Sequence, residues 1–138
     1  MKLSMQPVLA VMLLLLLAGA ARAAGPTKDE CALAGIKSPQ ELVSFVKSLQ
    51  KAVKKDDLAA VAAMVSYPIQ VDRNGHSQSI ENSAAFVKNY YAIMTKEVRA
   101  SVVETKTDDI IVNRKGFDVG SLHAQVDGDK LAVTAVNE

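Results

Sequence analysis

The sequence predicts an α+β domain, helices leading and antiparallel strands following. Three observations carry that expectation. Leu42, Phe45, Val46, Leu49 and Val53 recur at helical spacing. Ile69 and Val71 alternate with Gln70 and Asp72, the period of a half-buried strand. Asn74-Gly75 and Asp127-Gly128-Asp129 are turn sequences that close hairpins.

The two regimes meet between Leu58 and Val71. Leu58, Val61, Ala62 and Val65 form an apolar helical face, which stops at Tyr67-Pro68 because proline pushes the residue before it towards extended geometry. Upstream, Ser38-Pro39 is a helix entrance: serine caps, proline suits the first turn, and Glu41 favours the positive end of the helix dipole. Asp56 or Asp57 caps the second helix.

Downstream, an Asn74-Gly75 type I′ turn places Arg73 opposite His76, Val71 opposite Gln78 and Ile69 opposite Ile80. Asn82-Ser83 caps a third helix with Phe86, Val87, Tyr90, Ile93 and Met94 on its apolar face. Strands are expected at Val98 to Val103 and Ile110 to Val112. Phe117 to Val126 and Leu131 to Val136 are expected to form a final hairpin.

The 138 residues suffice for one domain, and not all of them belong to it. Met1-Lys2, the apolar run Val8 to Leu17 and Ala21-Arg22-Ala23 have the layout of a secretory signal peptide over residues 1–23. Cleavage is expected after Ala23, with Ala20 as the second position. The apolar run falls short of the roughly 20 residues a spanning helix needs. The expected product is therefore soluble and, after cleavage, free of the membrane. Residues 24–37, with Gly25-Pro26 and Gly35, are expected to be a flexible segment holding one short turn around Cys31 to Leu33. The domain proper is expected over 38–138.

Losing Lys2 and Arg22 turns sixteen basic residues against fifteen acidic into fourteen against fifteen. A near-neutral chain without tryptophan has no overall basic field or stacking anchors for nucleic acid. The single cysteine, Cys31, excludes an intramolecular disulfide and reads as a packing residue. It also lies too far beyond Ala18-Gly19 to be a lipid-anchor cysteine. Lys47, Lys51, Lys54 and Lys55 lie mostly off the apolar stripe of the first helix and read as a solvated face.

The stretches FVKSLQKAVKKDDLAAVAAMVSYPIQV, AAFVKNYYAIM and NRKGFDVGSLHAQVDGDKLAVTAVNE follow the order helix, helix, hairpin, helix, meander. That order resembles the NTF2-like (cystatin-like) superfamily, and in particular its small periplasmic bacterial proteins. The resemblance implies three helices packed on a curved antiparallel sheet to form a cone, and a periplasmic location. It also implies a small apolar ligand at the open end and a homodimer through the outer sheet face. Ala132, Thr134 and Val136 are the residues expected to supply that face.

A fold alone licenses no activity. Tyr67, Tyr90 and His123 are the candidate pocket residues, a phenol in an apolar pocket being a good donor to an oxyanion. His123 depends on strand phase. If Phe117, Val119, Ser121 and His123 all point inward, the imidazole lines the cavity and can act as acid or base. If Gly120 marks a bulge, the phase switches, Leu122, Ala124 and Val126 face the core and His123 is exposed. The second arrangement buries more apolar surface and is the expected one. Glu104 is expected at the end of an apolar-phase strand face, exposed to solvent.

An Asp72–His76 dyad fails on register, since the two lie on opposite hairpin faces. Two histidines and one cysteine without clustered spacing give no metal signal, and no cofactor or catalytic motif is present in the sequence. The leading expectation is a non-enzymatic binding or interaction protein. One alternative is an isomerase or dehydratase using His123 with a tyrosine. The other is an inhibitor or immunity protein acting through the Arg73-Asn74-Gly75-His76 tip.

Overall fold

The computed structural model describes residues 25–138 as an α+β domain, so the expected signal peptide lies outside the described residues. Six α-helices and a six-stranded mixed sheet are present among them, and the sheet does not close on itself. The expectation of three helices is corrected to six short-to-medium ones. No helix among the described residues is long and apolar enough to cross a membrane.

Around Cys31, where a single turn was expected, the chain forms helix α1 (Lys28–Leu33), capped by the Thr27 side chain on Glu30 N. Cys31 and Ile36 are buried in the core from this end. Helix α2 (Pro39–Lys54) begins as its sequence dictates, with Ser38 accepting from Glu41 N at 3.1 Å and proline in the first turn. Its Leu42, Val46, Leu49 and Val53 are buried, each worth about 1.5–3 kcal/mol for the larger side chains. Asp57, rather than Asp56, caps helix α3 (Leu58–Ala63) by accepting from Ala60 N at 3.1 Å.

Strands β1 (Val65–Arg73) and β2 (His76–Ile80) form the hairpin in the register the turn demands: Ile69 opposite Ile80, Val71 opposite Gln78, Arg73 opposite His76. Asn74 and Gly75 both have positive φ, 52° and 76°, as a type I′ turn requires. The Tyr67-Pro68 bond is cis.

The expected third helix is two. Asn89 ends α4 (Ser83–Lys88), its amide donating back to Ala85 O at 2.9 Å, and α5 (Tyr90–Ile93) follows. Asparagine competes with the helical ladder by bonding nearby backbone, which accounts for the break.

The largest correction is at Val98 to Val103, expected as a strand. This is helix α6 (Lys96–Glu104), capped by Thr95 on Val98 N and anchored through buried Val98 and Val102 at i, i+4. Glu104 accordingly ends a helix, not a strand. The expected Ile110–Val112 strand contracts to β3 (Val112–Asn113), preceded by a 3₁₀ turn at Thr107–Asp109.

The expected final hairpin is a three-strand meander: β4 (Gly116–Val119), β5 (Leu122–Asp127) and β6 (Lys130–Asn137). The sheet order is β2-β1-β6-β5-β4-β3, with β1 parallel to β6 and every other pair antiparallel.

Two register breaks interrupt it. Five steps along β1, from Val65 to Gln70, match two along β6, from Val133 to Ala135. On β6, Thr134 is skipped between the partners of His123 and Ala124. That second break moves Val136 into the core, fully buried beside Val71, and leaves Ala132 buried as well. The outward row expected at Ala132, Thr134 and Val136 is therefore replaced. Cross-strand register instead aligns Ser79, Gln70, Ala135, His123 and Asp118 across the other face.

Candidate functional site

The β1 break is also where a broad concavity lies. Ser66, Tyr67, Pro68 and Ile69 bow away from β6 after Val133 N has donated its hydrogen bond to Met64 O at 2.8 Å. The resulting depression of about 540 Å3 is lined by Phe45 from α2, Ala63 and Met64 from the end of α3, and Val65 and Tyr67 from β1. Lys130, Leu131 and Ala132 close its far side. Phe45 stands half-buried, edge-on to Phe117 with ring centres 6.2 Å apart, so one part of its ring is held by the core. Polar groups gather at the rim, where the Ser66 hydroxyl donates to the Asp127 carboxylate and Lys130 follows the β5–β6 turn. The lining is thus mixed, apolar side chains alongside polar groups.

Of the three candidate residues, Tyr67 alone lines this depression. Its hydroxyl is committed, donating to Ala62 O at 2.8 Å. Burial pushes this phenol above its ordinary value, and the Ser83 hydroxyl acts in the opposite sense.

Tyr90 lies deeper, connected to Tyr67 through Phe86: ring centres are 6.3 Å apart for Tyr67–Phe86 and 5.9 Å for Phe86–Tyr90, both edge-on. The Tyr90 hydroxyl is buried and has no hydrogen-bond partner among the described residues. Burial, reinforced by the Asp56 carboxylate and opposed by Arg99, pushes this phenol up to about 12.

His123 belongs elsewhere. Phe117 and Val119 are buried on β4, Leu122 and Ala124 on β5, so the phase does switch at Gly120. The device is a tight turn, Val119 pairing with Leu122 around Gly120 at φ +57°, rather than a bulge. His123 thus stands on the outer face, half-buried. Its Nδ1 lies 2.7 Å from an Asp118 carboxylate oxygen and its Nε2 lies 2.8 Å from the Lys115 carbonyl oxygen. The imidazole ties the β3–β4 turn to β5. The structure brings Tyr67 and Tyr90 together through Phe86 and leaves His123 outside that group.

The Arg73 to His76 tip is similarly occupied. Arg73 pairs with Glu138 and donates to Ala92 O at 2.8 Å and Ile93 O at 3.0 Å, closing the last turn of α5. Its charge is spent within the domain. Among the described residues no group of three His, Cys, Asp or Glu side chains could hold a metal ion.

Sequence reasoning missed Phe45, Met64, Asp127 and Lys130 as site residues. Phe45 was legible only as part of the core stripe, and the depression depends on the β1–β6 pairing across 68 residues from Val65 to Val133. No protein-family model, no curated protein and no solved structure matches the chain.

Proposed function

We propose that the chain is an exported periplasmic protein with an NTF2-like cone, which binds a small apolar ligand without catalysis. The observation that carries this reading is the depression at the β1 break, with Phe45, Met64, Tyr67 and Leu131 as its apolar wall. Two register breaks in one sheet support strong curvature, because each adds local twist. A sheet with hairpin, parallel junction and meander supports the cone as well.

Binding without chemistry is favoured by the state of the lining. The Tyr67 proton is held by a main-chain carbonyl, Asp127 is held by Ser66, and no histidine faces the depression. The homodimer belongs to the same reading and would use the row Gln70, Ala135 and His123.

The ligand test uses the neutral dye N-phenyl-1-naphthylamine. The expected result is saturable fluorescence enhancement, with amide NMR shifts confined to residues 63–67 and 127–132. Ala63→Arg, a change at an exposed residue on the wall, should weaken binding about tenfold. Absence of saturation, or binding indifferent to Ala63→Arg, would remove the reading. Export is tested separately, by expressing the full chain and sequencing the N-terminus of the product. A product beginning at Ala24 supports it, and an intact Met1 product opposes it.

A further inference from the structure

Another concavity lies where the last turn of α2 meets α6. It has a volume of about 390 Å3, with Val53, Lys54 and Asp56 on one wall and Lys96, Arg99, Ala100 and Val103 on the other. The four α6 residues are spaced i, i+3, i+4 and i+7. They form one face of the helix, separate from the buried pair Val98 and Val102.

Three cations meet here and are poorly matched by acids. Lys54 and Lys96 form no ion pair among the described residues, and Arg99 has a single 3.5 Å contact with Asp56. Lys96 is the first residue of α6, at the positive end of the helix dipole, with Glu97 the acid of that turn. The Arg99 guanidinium stands over the Tyr91 ring, 5.0 Å from its centre, which favours this placement before any ligand arrives. The remaining wall is apolar, with Val103 partly exposed.

We infer that the groove between α2 and α6 is a binding site for an amphipathic phosphate, the phosphate held by Lys54, Lys96 and Arg99 and its apolar portion lying on Val53, Ala100 and Val103. Neutrality of the whole chain conceals this site, because within the groove three cations face one acid, Asp56. It is distinct from the depression at the β1 break and does not depend on that site being occupied. The phosphate can be free in solution or be the headgroup of a lipid.

The experiment titrates the full chain with phenyl phosphate, followed by amide NMR. Saturable shifts at residues 53, 54, 96, 99, 100 and 103 are expected, with none from benzyl alcohol and weaker binding of inorganic phosphate. Lys54→Gln/Lys96→Gln, both exposed positions, should weaken phenyl phosphate about tenfold or more, while Lys47→Gln should not. A parallel arm sediments the protein with phosphatidic acid vesicles and with phosphatidylcholine vesicles. Selective capture by phosphatidic acid identifies a lipid-borne headgroup; binding of phenyl phosphate without capture identifies a free phosphate. Failure in both arms overturns the inference. So does binding that the double variant leaves unchanged, or inorganic phosphate binding as tightly as phenyl phosphate.

Discussion

Gln50 and Thr105 lie fifty-five residues apart and are joined by a 2.7 Å hydrogen bond, the Gln50 amide donating to the Thr105 carbonyl. The same nitrogen donates to Val102 O at 3.0 Å. The last carbonyls of a helix have no partner within it, so one side chain of α2 completes the end of α6. Gln50→Ala should cost about 1 kcal/mol in urea unfolding, since the Thr105 carbonyl loses its donor while Val102 O keeps the Thr105 N–H. Gln50→Glu should cost more at neutral pH, by presenting a carboxylate to two carbonyl oxygens at the negative end of a helix. The difference should shrink as pH falls through the ordinary glutamate range near about 4.3. Equal stability of the two variants at every pH would show that the contact carries no weight.

Two glycines are required by close approach, and a third supplies the control. A Cβ on Gly116, at φ +113°, would overlap the Ala124 carbonyl oxygen across the β4–β5 ladder. One on Gly120, at φ +57°, would meet the Ser101 backbone at 2.5–2.6 Å, where the turn docks on α6. Gly75 has φ +76° and nothing within 4 Å, so alanine there meets only backbone strain. Gly75→Ala should lose about 1 kcal/mol, and Gly116→Ala or Gly120→Ala about 3 kcal/mol or more. Thermal unfolding orders the three, and equal losses would contradict the packing described.

What the sequence revealed was local, and what it concealed was long-range. The Asn74-Gly75 pair specified the hairpin register from Ile69 to His76 because turn type and strand twist leave few alternatives. Ser38 and Asn82 marked helix starts by their capping chemistry. The strand expected at Val98 to Val103 fails because RASVVE satisfies two periods at once: alternating small and branched residues suit a strand, and Val98 with Val102 suits a helix. Thr95, accepting from Val98 N at 3.2 Å, was the discriminating signal. The phase of His123 was readable from the apolar surface its neighbours would bury. The depression was not readable, because it arises where β1 leaves β6, and nothing in either strand alone announces that break.

Cys31 is fully buried, and its thiol is pushed above the usual value by burial, with the Glu30 and Glu41 carboxylates adding to the effect. Thiolate is the reactive form, so native Cys31 should resist a disulfide reagent at pH 8 and react at once in denaturant. Prompt stoichiometric labelling of the folded protein would contradict the docking of α1. The sign of the linkage follows from the raised value. Stability from keeping this thiol protonated is fully present below its ordinary 9.0 and is lost as pH rises through the folded value.

Tyr90 combines an unfavourable hydrogen-bonding state with favourable packing, and the two can be separated. Its ring meets Phe86 and Tyr91 edge-on, at 5.9 and 5.1 Å, so removing the ring would open a cavity in the core. Removing the hydroxyl alone leaves those contacts and deletes an unpartnered donor. Tyr90→Phe should therefore match the native protein or exceed it by about 1 kcal/mol at neutral pH, whereas Tyr90→Ala should lose about 3–5 kcal/mol. The phenol is raised from 10.0 to about 12, so the folded state holds its proton where the unfolded state releases it. Its contribution is fully present below pH 10 and is lost as pH rises towards 12. The native protein should lose stability across that window more steeply than Tyr90→Phe, with Tyr67 contributing the same remainder to both. Parallel alkaline unfolding curves for the two proteins would mean that the hydroxyl finds a partner, and a loss of stability in Tyr90→Phe at neutral pH would mean that the partner matters.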